Sequence, residues 1–218
     1  MRQSQWRDEL LKTGIRGKNG QKIEFSRVEL MSGTQWLHAD AETKEDQHRV
    51  VVSFGPDYGP LEQRQVANAI EESQNLVPKP KLIVFTAFQF DPEAAKDIDE
   101  TNWPGVTLLK VQMNADLLTE DLKKKRSSNE SFWLMGQPDV ELKKRKDDKY
   151  VVEVRGFDYY NPKNGEIESG DSSKITIWEL DTDYDGRSLY PNQVFFPMAG
   201  ESNGWAKLTK TLKVEIDE

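Results

Sequence analysis

Three acids alternate in the stretch Asp181-Thr182-Asp183-Tyr184-Asp185-Gly186. Carboxylates at alternate positions, closed by a glycine, open a calcium-binding loop: the oxygens converge on the ion and the glycine permits the sharp turn. Such a loop also needs a bidentate acid at its twelfth position and a helix on each side. Counting from Asp181, the twelfth residue is Asn192, with Pro191 before it. The flanks KITIWEL and QVFFP read as strands. Asp185-Gly186 between two strand-like runs signals a hairpin, because both residues tolerate positive φ. The expectation is a hairpin end with exposed carboxylates, leaving Asp181, Asp183 and Asp185 as weak metal candidates.

A second pattern pairs Pro138-Asp139 with Glu153-Val154-Arg155. It resembles the PD-(D/E)xK arrangement of metal-dependent nucleases, in which two acids on adjacent strands hold Mg²⁺ and a lysine helps activate water. Here Arg155 stands in place of the lysine. An arginine stabilises charge but does not exchange a proton. The plainer reading is a β-hairpin with charged residues on its solvated face. A cryptic nuclease using Asp139, Glu153 and Arg155 is the alternative.

Two basic runs could meet phosphates: Lys123, Lys124, Lys125 and Arg126 at the end of an expected helix, and Lys143, Lys144, Arg145 and Lys146 in an expected hairpin. Bases at a helix C-terminus also complement its dipole, which alone would account for the first run. His38 and Asp40 form an H-x-D pair, but the only other histidine is His48. No Walker loop, G-x-S-x-G or G-x-G-x-x-G is present.

The elements that position these residues follow from hydrophobic patterning. A short helix over Trp6–Leu11 stops at the glycine-rich TGIRGKNG. QKIEFSRVEL and TQWLHADAE alternate as strands. RVVVSFG, LIVFTAFQF and GVTLLKVQM are short apolar runs of the kind buried on both faces. Between them lie a helix carrying Val66, Ala69, Ile70 and Leu76, with Pro60 as its expected first residue, and a helix capped by Asp91-Pro92. This order predicts parallel strands joined by right-handed crossovers. The remainder, SFWLMG, DVELKKR, YVVEVRGFDYY, KITIWELD and LYPNQVFFP, predicts an antiparallel β meander closed by a C-terminal helix. The fold class expected is therefore mixed α/β. Its sections are 1–47 (N-terminal helix and strands), 48–120 (parallel α/β) and 121–218 (antiparallel β), in one compact domain.

The chain has 218 residues, a formal net charge of −8 and no cysteine. Net charge therefore does not draw it to nucleic acid or an anionic membrane, and any such contact needs a local patch. Disulfides and thiolate chemistry are excluded. No apolar run approaches the roughly 20 residues that cross a bilayer, and the N-terminus lacks a signal-peptide core. The expectation is a cytoplasmic protein with no membrane partner.

The segments FQFDPEAAKDIDE, KVQMNADLLTEDLKKKRSSNESFWLMGQPDVEL and VRGFDYYNPKNGEIESG, together with WELDTDYDGRSLYPNQVFFPMAG, closely resemble the C-terminal region of large adenine-specific DNA methyltransferases, the modification subunits of type III restriction–modification systems. The resemblance runs from about residue 10 to the end. It implies a role in DNA engagement or in assembly with a restriction subunit or the methyltransferase catalytic domain. It also implies S-adenosylmethionine as cofactor of the full-length parent. The D-P-P-Y-type motif that holds a flipped adenine and the F-x-G-x-G-like cofactor loop are both missing here. No catalytic residue carries over, and no cofactor is expected for this chain alone.

Overall fold

The computed structural model describes residues 2–118, 131–185, 190–200 and 202–217. The basic run Lys123, Lys124, Lys125 and Arg126 lies outside the described residues. The chain forms two units: residues 1–135 with 160–165, and residues 136–159 with 166–218.

The first unit holds α1 (Arg2–Thr13), β1 (Ile15–Arg16), β2 (Lys22–Ile23), β3 (Phe25–Leu30), β4 (Ala39–Thr43), β5 (Arg49–Phe54), α2 (Gln63–Gln74), β6 (Leu82–Ala87), α3 (Pro92–Glu100), β7 (Thr107–Met113) and β8 (Phe132–Leu134). Its eight-stranded sheet has the order β2-β1-β8-β7-β6-β5-β4-β3. The three expected parallel strands lie side by side at its centre, with Val52 opposite Val84 and Val84 opposite Leu109. β4 and β3 extend this core on one side by antiparallel pairing. β8 extends it on the other. The expected section boundary at residue 47 falls between β4 and β5, which are sheet neighbours.

Side chains alternate across a strand, so one apolar run serves two cores. Val50, Val52, Phe54, Val84 and Val111 face Trp6 and Leu10 of α1. Val51, Ile83 and Phe85 face Val66 and Ala69 of α2 and Ala94 and Ile98 of α3. Burial on both faces is why these strands carry Val, Ile, Leu or Phe on both sides, and polar residues among them, such as Ser53, Lys110 and Gln112, are hydrogen-bonded.

Local chemistry sets the helix ends. The Asp91 carboxylate accepts hydrogen bonds from the Glu93 and Ala94 backbone N–H groups at 2.9 and 3.4 Å, with Pro92 in the first turn, as expected. α1 ends at Gly14, whose φ of +67° suits glycine and whose N–H donates to the Leu10 carbonyl. Pro60 does not begin α2, which starts at Gln63 after Glu62. Leu61 instead bridges to Phe90: its N–H donates to the Gln89 carbonyl, and its carbonyl accepts from Asp91. These backbone bonds to the next loop hold residue 61 out of the helix.

The second unit holds β9 (Gln137–Lys144), β10 (Tyr150–Asn161, whose last two residues count with the first unit), β11 (Glu166–Asp171), β12 (Trp178–Leu180), β13 (Gln193–Phe195) and α4 (Gly204–Asp217). β11, β10 and β9 form a three-stranded meander, with β9 and β10 antiparallel. β12 pairs with β13, and the Trp178 and Phe195 rings stack with centroids 4.1 Å apart. Two strands are shorter than the sequence suggests, and one of them is β13, which takes only Gln193–Phe195 of LYPNQVFFP. Ser172–Lys174 forms a helical turn, capped by the Asp171 carboxylate accepting from the Ser173 N–H, so KITIWELD contributes only Trp178–Leu180. β11 is an added strand. It fits beside β10 because both carry glycine at the contact: a Cβ on Gly156 would lie 2.1 Å from the Gly170 carbonyl oxygen. Among the described residues no helix is long and apolar enough to cross a membrane.

Candidate interaction site on the β9–β10 hairpin

Register fixes what each face of the β9–β10 pair presents. Glu141 lies opposite Glu153, and Lys143 opposite Val151. Asp139 is two residues from Glu141 on the same strand, so Asp139, Glu141 and Glu153 share a face. The Glu141 and Glu153 carboxylates are drawn toward cations. The Lys143 ammonium donates to Glu153 at 2.7 Å and lies 3.1 Å from Glu141. The Arg155 guanidinium donates to Glu141 at 2.5 Å. Hydrogen bonds to Glu153 and then Glu141 raise the Lys143 pKa above its ordinary value, and the bond from Lys143 holds the Glu153 carboxyl below its own. The face is an alternating ladder of ion pairs.

The ladder continues into the turn. Lys144 lies 3.1 Å from Asp148 and over the Tyr150 ring, and Arg145 lies 3.4 Å from Asp147. Lys146 has no ion partner among the described residues. Residues 139–155 hold six bases against five acids, so the basic run sits in nearly neutral surroundings.

The opposite face is apolar. Val140 faces Val154 and Leu142 faces Val152, with Lys144 and Tyr150 as the next pair. Leu142 is 62% exposed and Tyr150 60%, which is unusual for large apolar side chains on a regular strand. A bulge between Val154 and Gly156 ends this row and shifts the register toward Asp139.

The other candidates occupy different places. The Asp181 carboxylate accepts from the backbone N–H groups of Asp183 and Tyr190, at 2.9 and 2.8 Å, so it closes the loop between β12 and β13. Asp183 and Asp185 are exposed, while Gly186 lies outside the described residues. Among the described residues no group of three acids or histidines is arranged to hold a metal ion. In the first unit, His38 Nδ1 accepts from the Phe54 N–H at 2.9 Å, which makes it part of the frame. Asp40 pairs with Arg49 at 2.5 Å and Arg27 at 3.3 Å.

Sequence reasoning passed over Tyr160, which it placed only at the end of the strand-like run YVVEVRGFDYY. It lies in the floor of a cavity in the first unit. Nothing in its local sequence marks this, because the cavity is assembled from segments distant along the chain.

No protein-family pattern, curated protein or solved structure matches the chain.

Proposed function

We propose that this chain is a non-catalytic domain of a DNA adenine methyltransferase-like protein of a restriction–modification system, and that it works chiefly by subunit assembly. The observation that carries the assembly reading is the apolar row Val140, Leu142, Val152 and Val154, backed by a face on which Lys143, Glu141, Glu153 and Arg155 are already paired. A row of this kind gains free energy when another surface covers it, because apolar area leaves water. The partner expected is the methyltransferase catalytic domain or the restriction subunit.

Direct DNA engagement is the weaker part of this reading. Lys143, Lys144 and Arg145 each have a carboxylate in reach, so binding phosphate would exchange one ion partner for another. Lys123, Lys124, Lys125 and Arg126 remain the candidates for a phosphate-tracking run.

Hydrogen exchange on the chain, free and mixed with the catalytic domain of an adenine-specific DNA methyltransferase from the same genome, tests the proposal. Slowed exchange centred on residues 140–154 supports it. Unchanged exchange there, with protection elsewhere, refutes the assignment of this face.

A further inference from the structure

One end of the first unit's sheet borders a half-open cavity of about 300 Å³. That is at the lower end of the roughly 300–1,000 Å³ typical of small-ligand sites. Its floor is made by Ile23 of β2, Leu82 at the start of β6, and Tyr160. Its rim is Lys44, Glu45, Asp46 and His48 of the β4–β5 turn, together with Lys22 and Glu24.

The turn is held open by its own bonds. The Thr43 hydroxyl accepts from the His48 N–H at 2.8 Å, the Gln47 N–H donates to the Thr43 carbonyl, and the Lys44 N–H donates to the Glu24 carbonyl. Glu45 and Asp46 of this turn line the cavity.

Tyr160 is the unusual group. It is only 8% exposed, packs in the main core, and lines the cavity. Its hydroxyl has no hydrogen-bond partner among the described residues. The ring is buried but the hydroxyl atom is not, so a ligand entering the cavity could reach it. Burial, and then the Asp46 carboxylate, push its pKa above the ordinary value, so it stays a neutral phenol able to donate or accept.

The rim sets the sign of charge. Lys44 pairs with Glu24 at 3.8 Å. Lys22, Glu45 and Asp46 have no ion partner among the described residues, which leaves two carboxylates against one ammonium. An anion would meet net repulsion, whereas an amine would meet a carboxylate above an apolar floor.

We propose that this cavity binds a small organic amine, its apolar body on Ile23, Leu82 and Tyr160, its ammonium donating to Asp46 and the Tyr160 hydroxyl. The site is separate from the hairpin face and independent of the assembly reading.

The test uses the full chain with phenethylamine, and with 3-phenylpropionate as a probe of the same ring but opposite charge. Binding is followed by calorimetry and by NMR of ring-labelled tyrosine. The expected result is saturable amine binding that moves a single tyrosine resonance, the one missing from Tyr160→Phe. That variant, which keeps the ring in the core, should bind about fivefold more weakly, the effect of one lost hydrogen bond. Asp46→Asn, on an exposed turn, should also weaken amine binding and narrow the preference for amine over carboxylate. No saturable binding to the parent, equal affinity for both probes, or amine affinity unchanged in Asp46→Asn would overturn the proposal, even if Tyr160→Phe failed to fold.

Discussion

Lys143 donates to Glu153 across the β9–β10 pair at 2.7 Å, and this bond decides how the basic hairpin should behave toward DNA. Four free cations would give a salt dependence of about 3.6 log units of affinity per log unit of salt. With Lys143, Lys144 and Arg145 already paired, the hairpin should contribute roughly one unit, mostly from Lys146. Fluorescence anisotropy on a labelled duplex, with Lys143→Gln and Lys146→Gln, measures this. A larger loss of slope in Lys143→Gln than in Lys146→Gln would contradict it.

Glu72 of α2 accepts three backbone hydrogen bonds, from the Gln35, Trp36 and Leu37 N–H groups, at 2.8–2.9 Å. It ties the β3–β4 connection to α2 and so holds Leu37 in the core. Bonds to a charged acceptor contribute more than neutral ones, so Glu72→Ala should cost about 2 kcal/mol. Urea unfolding gives the value, and faster amide exchange at residues 35–37 should accompany it. A variant within about 0.5 kcal/mol of the parent would show that water replaces the carboxylate at little cost.

Burial holds the His38 pKa below its ordinary value of 6.5, against the opposing pull of Glu72 and the Gln35 carbonyl. The neutral ring is the folded form, because Nδ1 accepts from Phe54. A depressed folded pKa contributes stability that is present above 6.5 and lost as pH falls through the folded value. Unfolding midpoints should therefore drop as pH falls below about 6.5, and His38→Gln should shallow that drop. The same pH slope in parent and variant would contradict this.

Lys110 and Asp99 form a buried ion pair at 2.7 Å, with side chains 5% and 16% exposed. Burial raises the Asp99 pKa even though Lys110 opposes it. Removing one partner strands a buried charge, so Lys110→Met should destabilise by about 3 kcal/mol. The double variant with Asp99→Leu should recover most of that loss, and chemical denaturation of the four proteins closes the cycle. Additive losses would show that the two charges are not coupled.

The central parallel strands were legible because they are apolar on both faces, and two buried faces leave no room for another pattern. Asp91-Pro92 was legible because a cap acts within one turn. β11 was not: Glu166–Asp171 has one large apolar residue, and it forms through the close passage of Gly156 and Gly170, which no local pattern encodes. The strand expected from KITIWELD is short: Asp171 caps a helical turn that takes Lys174, and pairing begins only at Trp178. The hairpin candidates were legible as residues but not as surroundings. Strand alternation lets Asp139 and Glu153 share a face, but the partner of Glu153 depends on the register that brings Lys143 between Glu141 and Glu153.

The central claim is assembly through the apolar face of the hairpin, and sedimentation velocity tests it most directly. The chain is mixed with the methyltransferase catalytic domain, as parent and as Leu142→Asp, a substitution at an exposed position that leaves the core intact. The account predicts a faster-sedimenting complex with the parent, and separate free components with Leu142→Asp, whose melting temperature should match the parent's. A complex formed equally by both proteins, or by neither, would contradict it.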